Sequence, residues 1–215
     1  MKRVRHRDEF DAIRGNLAEM GQITVTMLNE ALATVTSNDP AAAERTHELE
    51  ARIDDQNRQI HEQCLQAMAT PGRRGDEARL VTGIVGAIVD LELIGDYADE
   101  IATLGASIQR RPTSRILHRI SELGRRINGM LSTAIEGWAS DDLDDALAMR
   151  PREADLRSEC RVLYDKLFKL TSVPGDGGVY VHLLLICKHL ELIARHAASI
   201  GEQAAAAIPV PEVVY

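Results

Sequence analysis

The chain contains one helical sequence twice. LELIGDYADEIA, at residues 91–102, is followed ninety-nine residues later by LELIARHAASIG, at residues 190–201. In both copies the apolar residues are three and four positions apart, which places them along one face of a helix. A weaker pair, GQITVTMLNEAL from Gly21 and GRRINGMLSTAI from Gly124, lies earlier in each half. These matches predict a tandem repeat with a period of about 100 residues.

Prolines divide the chain into segments of about 30 residues with helical periodicity, since proline lacks the N–H and clashes with the preceding helical turn. Only 3% of the residues are aromatic, which favours helices over a β-sandwich or barrel. The predicted fold is therefore all-α: six long helices in two pseudo-symmetric three-helix bundles. The first repeat is placed at residues 1–109 and the second at 110–215. Pro151 predicts a kink or bulge in the fifth helix.

A third echo concerns the second helix of each repeat. ELEARIDD, from Glu48, matches EADLRSEC, from Glu153, at an offset of about 105 residues. This alignment pairs Glu50 with Asp155 and Asp54 with Glu159.

Charge and cysteine content exclude several classes of protein. Residues 1–109 hold 11 Lys and Arg against 19 Asp and Glu, whereas residues 110–215 hold 14 of each. This acidic balance argues against general nucleic-acid binding, which depends on neutralising phosphates. Three widely spaced cysteines suggest neither a disulfide framework nor a zinc site. No apolar run approaches the roughly 20 residues of a membrane span. A cytoplasmic protein is expected.

Acidic residues follow two of the predicted helices at a spacing of one turn. Glu92, Asp96 and Asp99 form a stripe beside the apolar seam, and Glu50 and Asp54 repeat the spacing on the second helix. Such a stripe either faces water or binds a hard cation, because carboxylates on neighbouring helices can converge on one ion. The predicted metal ligands are Glu50, Asp54, Glu92 and Asp96, with Asp99 as an additional candidate.

The second repeat departs from this pattern. Its matching acidic residues are Asp155, Glu159 and Glu191, but Arg195 stands where the first repeat has Asp96. A guanidinium cannot bind a metal, so a second site should be weak or absent, and Arg195→Asp should restore or strengthen it.

No catalytic residues are predicted. The chain has no H-E-x-x-H, P-loop, G-x-S-x-G or G-x-G-x-x-G motif. Glu44 and His47 supply one E-x-x-H, but di-iron bundles need that motif on two helices. The sixth predicted helix also contains three histidines at intervals of seven residues: His182, His189 and His196. Seven residues span about 10.5 Å along a helix, which is too far for two of them to bind one metal ion. They are therefore expected to be ordinary hydrogen-bonded residues at the edge of the seam.

Two basic clusters suggest contact with an acidic partner or, at most, peripheral membrane association. They comprise Lys2, Arg3, Arg5 and Arg7 at the start of the chain and Arg110, Arg111, Arg115 and Arg119 between the repeats.

These residues resemble the PhoU family of phosphate-signalling regulators. The resemblance covers almost the whole chain and depends most on DLELIGDYADEIA and HLELIARHAASIGE. Family members typically have Asp-Leu-Glu-Arg-Ile-Gly-Asp there, followed by Tyr or His and Ala. Here Leu93 replaces the arginine of the first copy, and Ala194 and Arg195 replace glycine and aspartate in the second.

The resemblance implies a cytoplasmic, often dimeric protein that is not an enzyme. Such proteins negatively regulate phosphate uptake by linking the ATPase of a phosphate ABC transporter to a sensor histidine kinase. Some bind iron or another divalent metal through E/D-x-x-x-D motifs, which correspond here to Glu50 with Asp54 and Glu92 with Asp96. Two alternatives stay open: a carboxylate-bundle metalloprotein for metal storage or redox chemistry, and a purely structural helical dimer.

Overall fold

Six long helices make up the part of the chain that the structure describes. The computed structural model describes residues 2–37, 39–69, 75–110, 112–140, 143–173 and 177–207. The helices are α1 (Lys2–Thr36), α2 (Pro40–Ala69), α3 (Gly75–Ala106), α4 (Ser114–Ser140), α5 (Leu143–Leu170) and α6 (Gly177–Ala207). No strand occurs in these ranges, and the all-α prediction is confirmed. The predicted boundary at residues 109/110 lies between α3 and α4.

The start of α2 shows how local sequence positions a helix. The Asp39 carboxylate accepts a hydrogen bond of 3.0 Å from the backbone N–H of Ala41 and so caps the helix. Pro40 follows in the first turn, where its missing N–H costs nothing.

The buried positions of the outer helices repeat between the two halves. Ile13, Leu17 and Met27 on α1 are matched by residues 103 positions later on α4. Those counterparts are Ile116, Ile120 and Met130. The two helices also meet reciprocally. A Cβ added at Gly21 would lie 2.7 Å from Ile135, and one added at Gly124 would lie 2.6 Å from Leu32. Each glycine therefore accommodates an aliphatic side chain of the other repeat.

The central helices α3 and α6 repeat at the predicted offset of ninety-nine. Ile84, Leu91 and Ile94 are fully buried, and so are their counterparts Leu183, Leu190 and Ile193. The two helices pack against each other between the repeats, so one continuous core spans the molecule.

The alignment of α2 with α5 differs from the prediction by two residues. Ala42, Ile53 and Ile60 are buried on α2, and the buried residues at the matching places on α5 are Met149, Cys160 and Leu167, 107 positions later. The offset of 105 came from aligning acidic residues of the two sequences, whereas the buried residues of the two helices align at an offset of 107. Two residues correspond to about 200° of rotation, so Asp155 and Glu159 lie on a different side of α5 from that assigned to them. Pro151 lies inside α5, which is one continuous helix around it.

Helix α6 is long and apolar enough to cross a membrane by length and composition. It is also the core helix of the second repeat, with 44% of its most apolar window buried inside the protein. Core helices of soluble proteins meet the same criterion. Helix α6 is thus an exception, by length and average composition, to the expectation that no apolar run approaches a membrane span.

Candidate functional site

The five acidic residues singled out in the first repeat lie on facing sides of α2 and α3. Asp54 and Asp96 interact electrostatically, as do Glu50 and Asp99. Asn57 on α2 donates a hydrogen bond to Glu92 on α3. Residues with higher numbers on α2 face residues with lower numbers on α3, so the two helices are antiparallel. We call Glu50, Asp54, Glu92, Asp96 and Asp99 the acidic cluster.

One end of the acidic cluster includes a histidine that the sequence argument set aside. His47 Nδ1 lies 3.1 Å from Glu50 Oε2 and 3.8 Å from Asp99 Oδ1. One ligand atom from each of these three residues lies within 4.8 Å of the other two. In the sequence, His47 was considered only together with Glu44, as an E-x-x-H motif. In the structure His47 lies beside Glu50, which follows it by one turn, and this spacing was visible in the sequence.

Burial, and after it the negative charge of neighbouring carboxylates, raises several pKa values in the acidic cluster. Burial raises the pKa of Glu50, and the negative charge of Asp99 raises it further. Burial and then Asp96 raise the pKa of Glu92, while burial and then Asp54 raise the pKa of Asp96. Burial also raises the pKa of Asp99, against the opposing effect of His47. The folded chain holds these like charges together at a cost that a bound cation would offset.

The donor set of the acidic cluster fits a divalent cation. Carboxylate oxygens from two rigid helices suit hard cations, and the imidazole of His47 extends the choice to iron, manganese or zinc. The side chains of Glu50 and Asp99 are each 27% exposed, so an ion could reach them from solvent. His47, Glu50 and Asp99 would hold it at one end, with Asp54, Asp96 and Glu92 further along the cleft.

The acidic residues predicted for the second repeat do not converge. Glu159 accepts hydrogen bonds of 2.6 and 2.7 Å from Arg126 on α4. Glu191 lies 2.9 Å from Lys188 Nζ and 3.9 Å from Arg195 Nη2. Asp155 is exposed on α5 and acts electrostatically on Arg126. Each carboxylate is thus near cations rather than other ligands.

The burial-based alignment reveals what occupies the equivalent positions. On α5, Arg157 and Arg161 stand where α2 has Glu50 and Asp54. On α6, Glu191, Arg195 and Ala198 stand where α3 has Glu92, Asp96 and Asp99. Five carboxylates are replaced by three arginines, one glutamate and one alanine. The prediction that Arg195→Asp restores or strengthens a second site stays a prediction, but Arg157 and Arg161 would still repel a cation after that change, so we expect the substitution alone to have little effect.

A groove between α5 and α6 lies at this charge-reversed position. Its volume is about 1130 Å³, and its walls include Arg157, Arg161, Lys188 and Glu191. Apolar side chains also line it: Tyr164, Phe168, Val181 and Leu185 are 41%, 62%, 45% and 45% exposed. We call this feature the α5–α6 groove. The groove was not predicted from the sequence, because the offset of 105 residues paired Glu50 and Asp54 with acidic residues of α5 instead of Arg157 and Arg161.

The three histidines of α6 have different environments. His196 Nδ1 lies 2.7 Å from Oδ1 of the buried Asp90, whose other oxygen accepts a 2.9 Å hydrogen bond from Gln203. Tyr97 packs between the His189 and His196 rings, at 5.6 and 5.8 Å. Within the described ranges, Nδ1 of both His182 and His189 is buried without a hydrogen-bond partner. The expectation of ordinary hydrogen bonds is confirmed for His196 but not for the other two.

The model of the PhoU domain matches residues 17–104 and 120–204. The chain belongs to the PhoU family. It is 24% identical over 196 residues to a phosphate-specific transport system accessory protein PhoU homolog of Pseudomonas putida, covering 90% of this chain and 77% of that protein. The homolog of Xylella fastidiosa strain Temecula1 is 26% identical over 198 residues, covering 91% and 81%.

Two solved PhoU structures share the fold. PhoU from Pseudomonas aeruginosa has a TM-score of 0.88 at 22% identity, over 92% of this chain and 96% of that one. The phosphate transport system regulatory protein PhoU from Streptococcus pneumoniae has a TM-score of 0.86 at 19% identity, over 94% and 96%. This PhoU protein thus has the family fold and one acidic cluster.

Proposed function

We propose that this PhoU protein is a cytoplasmic negative regulator of phosphate uptake. In this role it binds the ATPase of a phosphate transporter, a sensor histidine kinase, or both, and turns over no substrate. The match of two PhoU domains over most of the chain carries the proposal. Relatives named as accessory proteins of phosphate-specific transport systems support it.

Deletion of the gene tests this function directly. The proposal predicts that the deletion strain takes up phosphate at a derepressed rate in phosphate-rich medium, and that the wild-type gene restores repression. A parallel deletion that also removes the phosphate transporter ATPase should abolish the excess uptake. Repressed uptake in the single deletion would contradict the proposed role.

We also propose that the acidic cluster binds one regulatory divalent cation, with iron as the first candidate. The convergence of His47, Glu50 and Asp99, together with the raised carboxylate pKa values nearby, supports this. The arginines at the equivalent positions of the second repeat favour a single regulatory site over metal storage or redox chemistry between two symmetric sites.

The regulator is proposed to act as a homodimer, with Arg110 and Arg115 near a membrane-embedded transporter. Both arginines are exposed, whereas Arg111 and the side chains of Lys2, Arg3, Arg5 and Arg7 lie outside the described residues. Sedimentation velocity tests the dimer. Arg115→Glu should weaken co-purification with the transporter if this junction is the contact.

A further inference from the structure

The α5–α6 groove has the shape of a receptor for one helix. It follows one side of α5 from Ala154 to Phe168, reaches Thr171 just beyond the end of that helix, and follows one side of α6 from Val181 to Glu191. The α5 wall is about 25 Å long at 1.5 Å per residue, which matches an amphipathic helix of about five turns. Helix-in-groove recognition uses such a trough, with apolar anchors at its base and charges along its edges.

The apolar lining belongs to the second repeat only. At the positions equivalent to Tyr164 and Phe168 the first repeat has Asn57 and His61. At the positions equivalent to Val181 and Leu185 it has Thr82 and Gly86. Since both repeats bury the same core positions, core packing does not explain four exposed apolar residues in one repeat alone. An occupant that covers them does.

Charge determines which kind of helix fits. The groove is lined by three cations, Arg157, Arg161 and Lys188, against two carboxylates, Asp165 and Glu191, and Arg195 lies one turn beyond Glu191. Glu153 lies 3.4 Å from Arg157, and Glu191 partners Lys188. Arg161 makes no ion pair or hydrogen bond with any other residue in the described ranges. The groove therefore offers arginine at its edge to a carboxylate, which guanidinium binds in a bidentate manner.

We infer that the α5–α6 groove binds an amphipathic helix of a partner protein, with an apolar stripe flanked by Asp and Glu. The stripe packs on Phe168, Tyr164 and Leu185, while acidic side chains reach Arg157 and Arg161. The inference rests on the proposed adaptor role, which requires a partner surface, and adds the chemistry of that partner.

The probe is a fluorescein-labelled synthetic helix of about 18 residues, with Leu at positions i, i+3, i+4 and i+7 of each two turns and Glu beside them. A matched peptide carries Lys in place of each Glu. Fluorescence anisotropy with the full chain should show the Glu peptide binding at least about tenfold more tightly than the Lys peptide. The preference should decrease as salt rises, because screening weakens exposed charge pairs.

Matched variants place the binding in the groove. Phe168→Asp should weaken the Glu peptide by about tenfold or more. Leu65→Asp on α2 should change it less than about twofold, although Leu65 is 61% exposed and Phe168 is 62% exposed. Arg161→Glu should reverse the preference between the peptides, whereas Arg52→Glu on α2 should leave it unchanged. Circular dichroism melts check that each variant folds.

The inference fails if the Glu peptide does not bind below about 100 µM, or if the Glu and Lys peptides bind with equal affinity. It also fails if Leu65→Asp and Phe168→Asp weaken binding of the Glu peptide equally. Dissociation of a homodimer by Phe168→Asp would overturn it as well, because the groove would then bind a second copy of the chain. Binding of inorganic phosphate to the full chain, lost in Arg161→Glu and without any peptide binding, would instead make the groove a small-anion site and overturn the inference. The adaptor role is judged separately. If the deletion strain loses phosphate control and Phe168→Asp restores it fully, the adaptor role holds and the groove inference fails.

Discussion

The two repeats share a core and differ in the charge of one cleft. Ile94 on α3 and Ile193 on α6 are equally buried, yet three residues away α3 has Tyr97 where α6 has His196. The cleft beside these helices holds the acidic cluster in the first repeat, whereas in the second it keeps only Glu191 of the equivalent carboxylates and has Arg157, Arg161 and Arg195. Core positions constrain each other through packing, whereas cleft positions are free to adapt to different ligands.

The largest expected effect tests what the repeats share. Ile94→Ala and Ile193→Ala each remove a fully buried side chain at an equivalent place in the seam. Each should lower the free energy of unfolding by about 2–5 kcal/mol, measured by urea denaturation. The two losses should agree within about 1 kcal/mol. Val89→Ala, at an exposed residue of the same helix, is the control and should cost far less. A large cost in one repeat only would mean that the cores are not equivalent.

A smaller effect tests the contact between the repeats. His196→Ala removes the 2.7 Å partner of buried Asp90 and should cost about 1–3 kcal/mol, because a buried carboxylate loses a hydrogen bond. His189→Ala should cost less, since its Nδ1 has no hydrogen-bond partner within the described residues and both rings contact Tyr97. Thermal melts of the two variants compare them directly. Equal destabilisation would show that the Asp90–His196 contact adds nothing.

The smallest effect tests the crowding in the acidic cluster. The raised pKa values of Glu50, Glu92, Asp96 and Asp99 mean that the folded chain binds protons more readily than the unfolded chain. Unfolding then releases protons, so this cluster's contribution to stability rises as pH falls from neutral towards the ordinary carboxyl pKa values of 3.8 and 4.5.

Asp96→Asn should therefore stabilise the metal-free protein at neutral pH by a few tenths of a kcal/mol, roughly the size of an exposed like-charge pair. It should also flatten the dependence of stability on pH. Asp155→Asn, an exposed change in the second repeat, serves as the control. Urea denaturation in chelator at several pH values measures both, and an unchanged slope for Asp96→Asn would contradict the raised pKa of Asp96.

The fold could be predicted because the apolar residues of α3 and α6, among them Ile94 and Ile193, follow the same spacing and therefore specify matching cores. The acidic cluster could be predicted because residues one turn apart must share a helix face. The alignment of α5 with α2 could not be predicted from their acidic residues. Glu50 and Asp155 are chemically alike, but burial of Ile53 and Cys160 decides the rotation of α2 and α5. The role of His47 depended on its distance to Asp99 on another helix, which no local pattern contains.

The central claim is that the charge of the cleft assigns cation binding to the first repeat alone. Elemental analysis after iron, manganese, zinc or magnesium loading and gel filtration tests it most directly. The account predicts one divalent cation per chain for the wild type and for Arg195→Asp, and none for Asp96→Arg. A second ion should bind only when Arg157→Glu, Arg161→Asp and Arg195→Asp are combined. Metal content unchanged by Asp96→Arg, or a wild type that binds none of the four metals, would contradict the account.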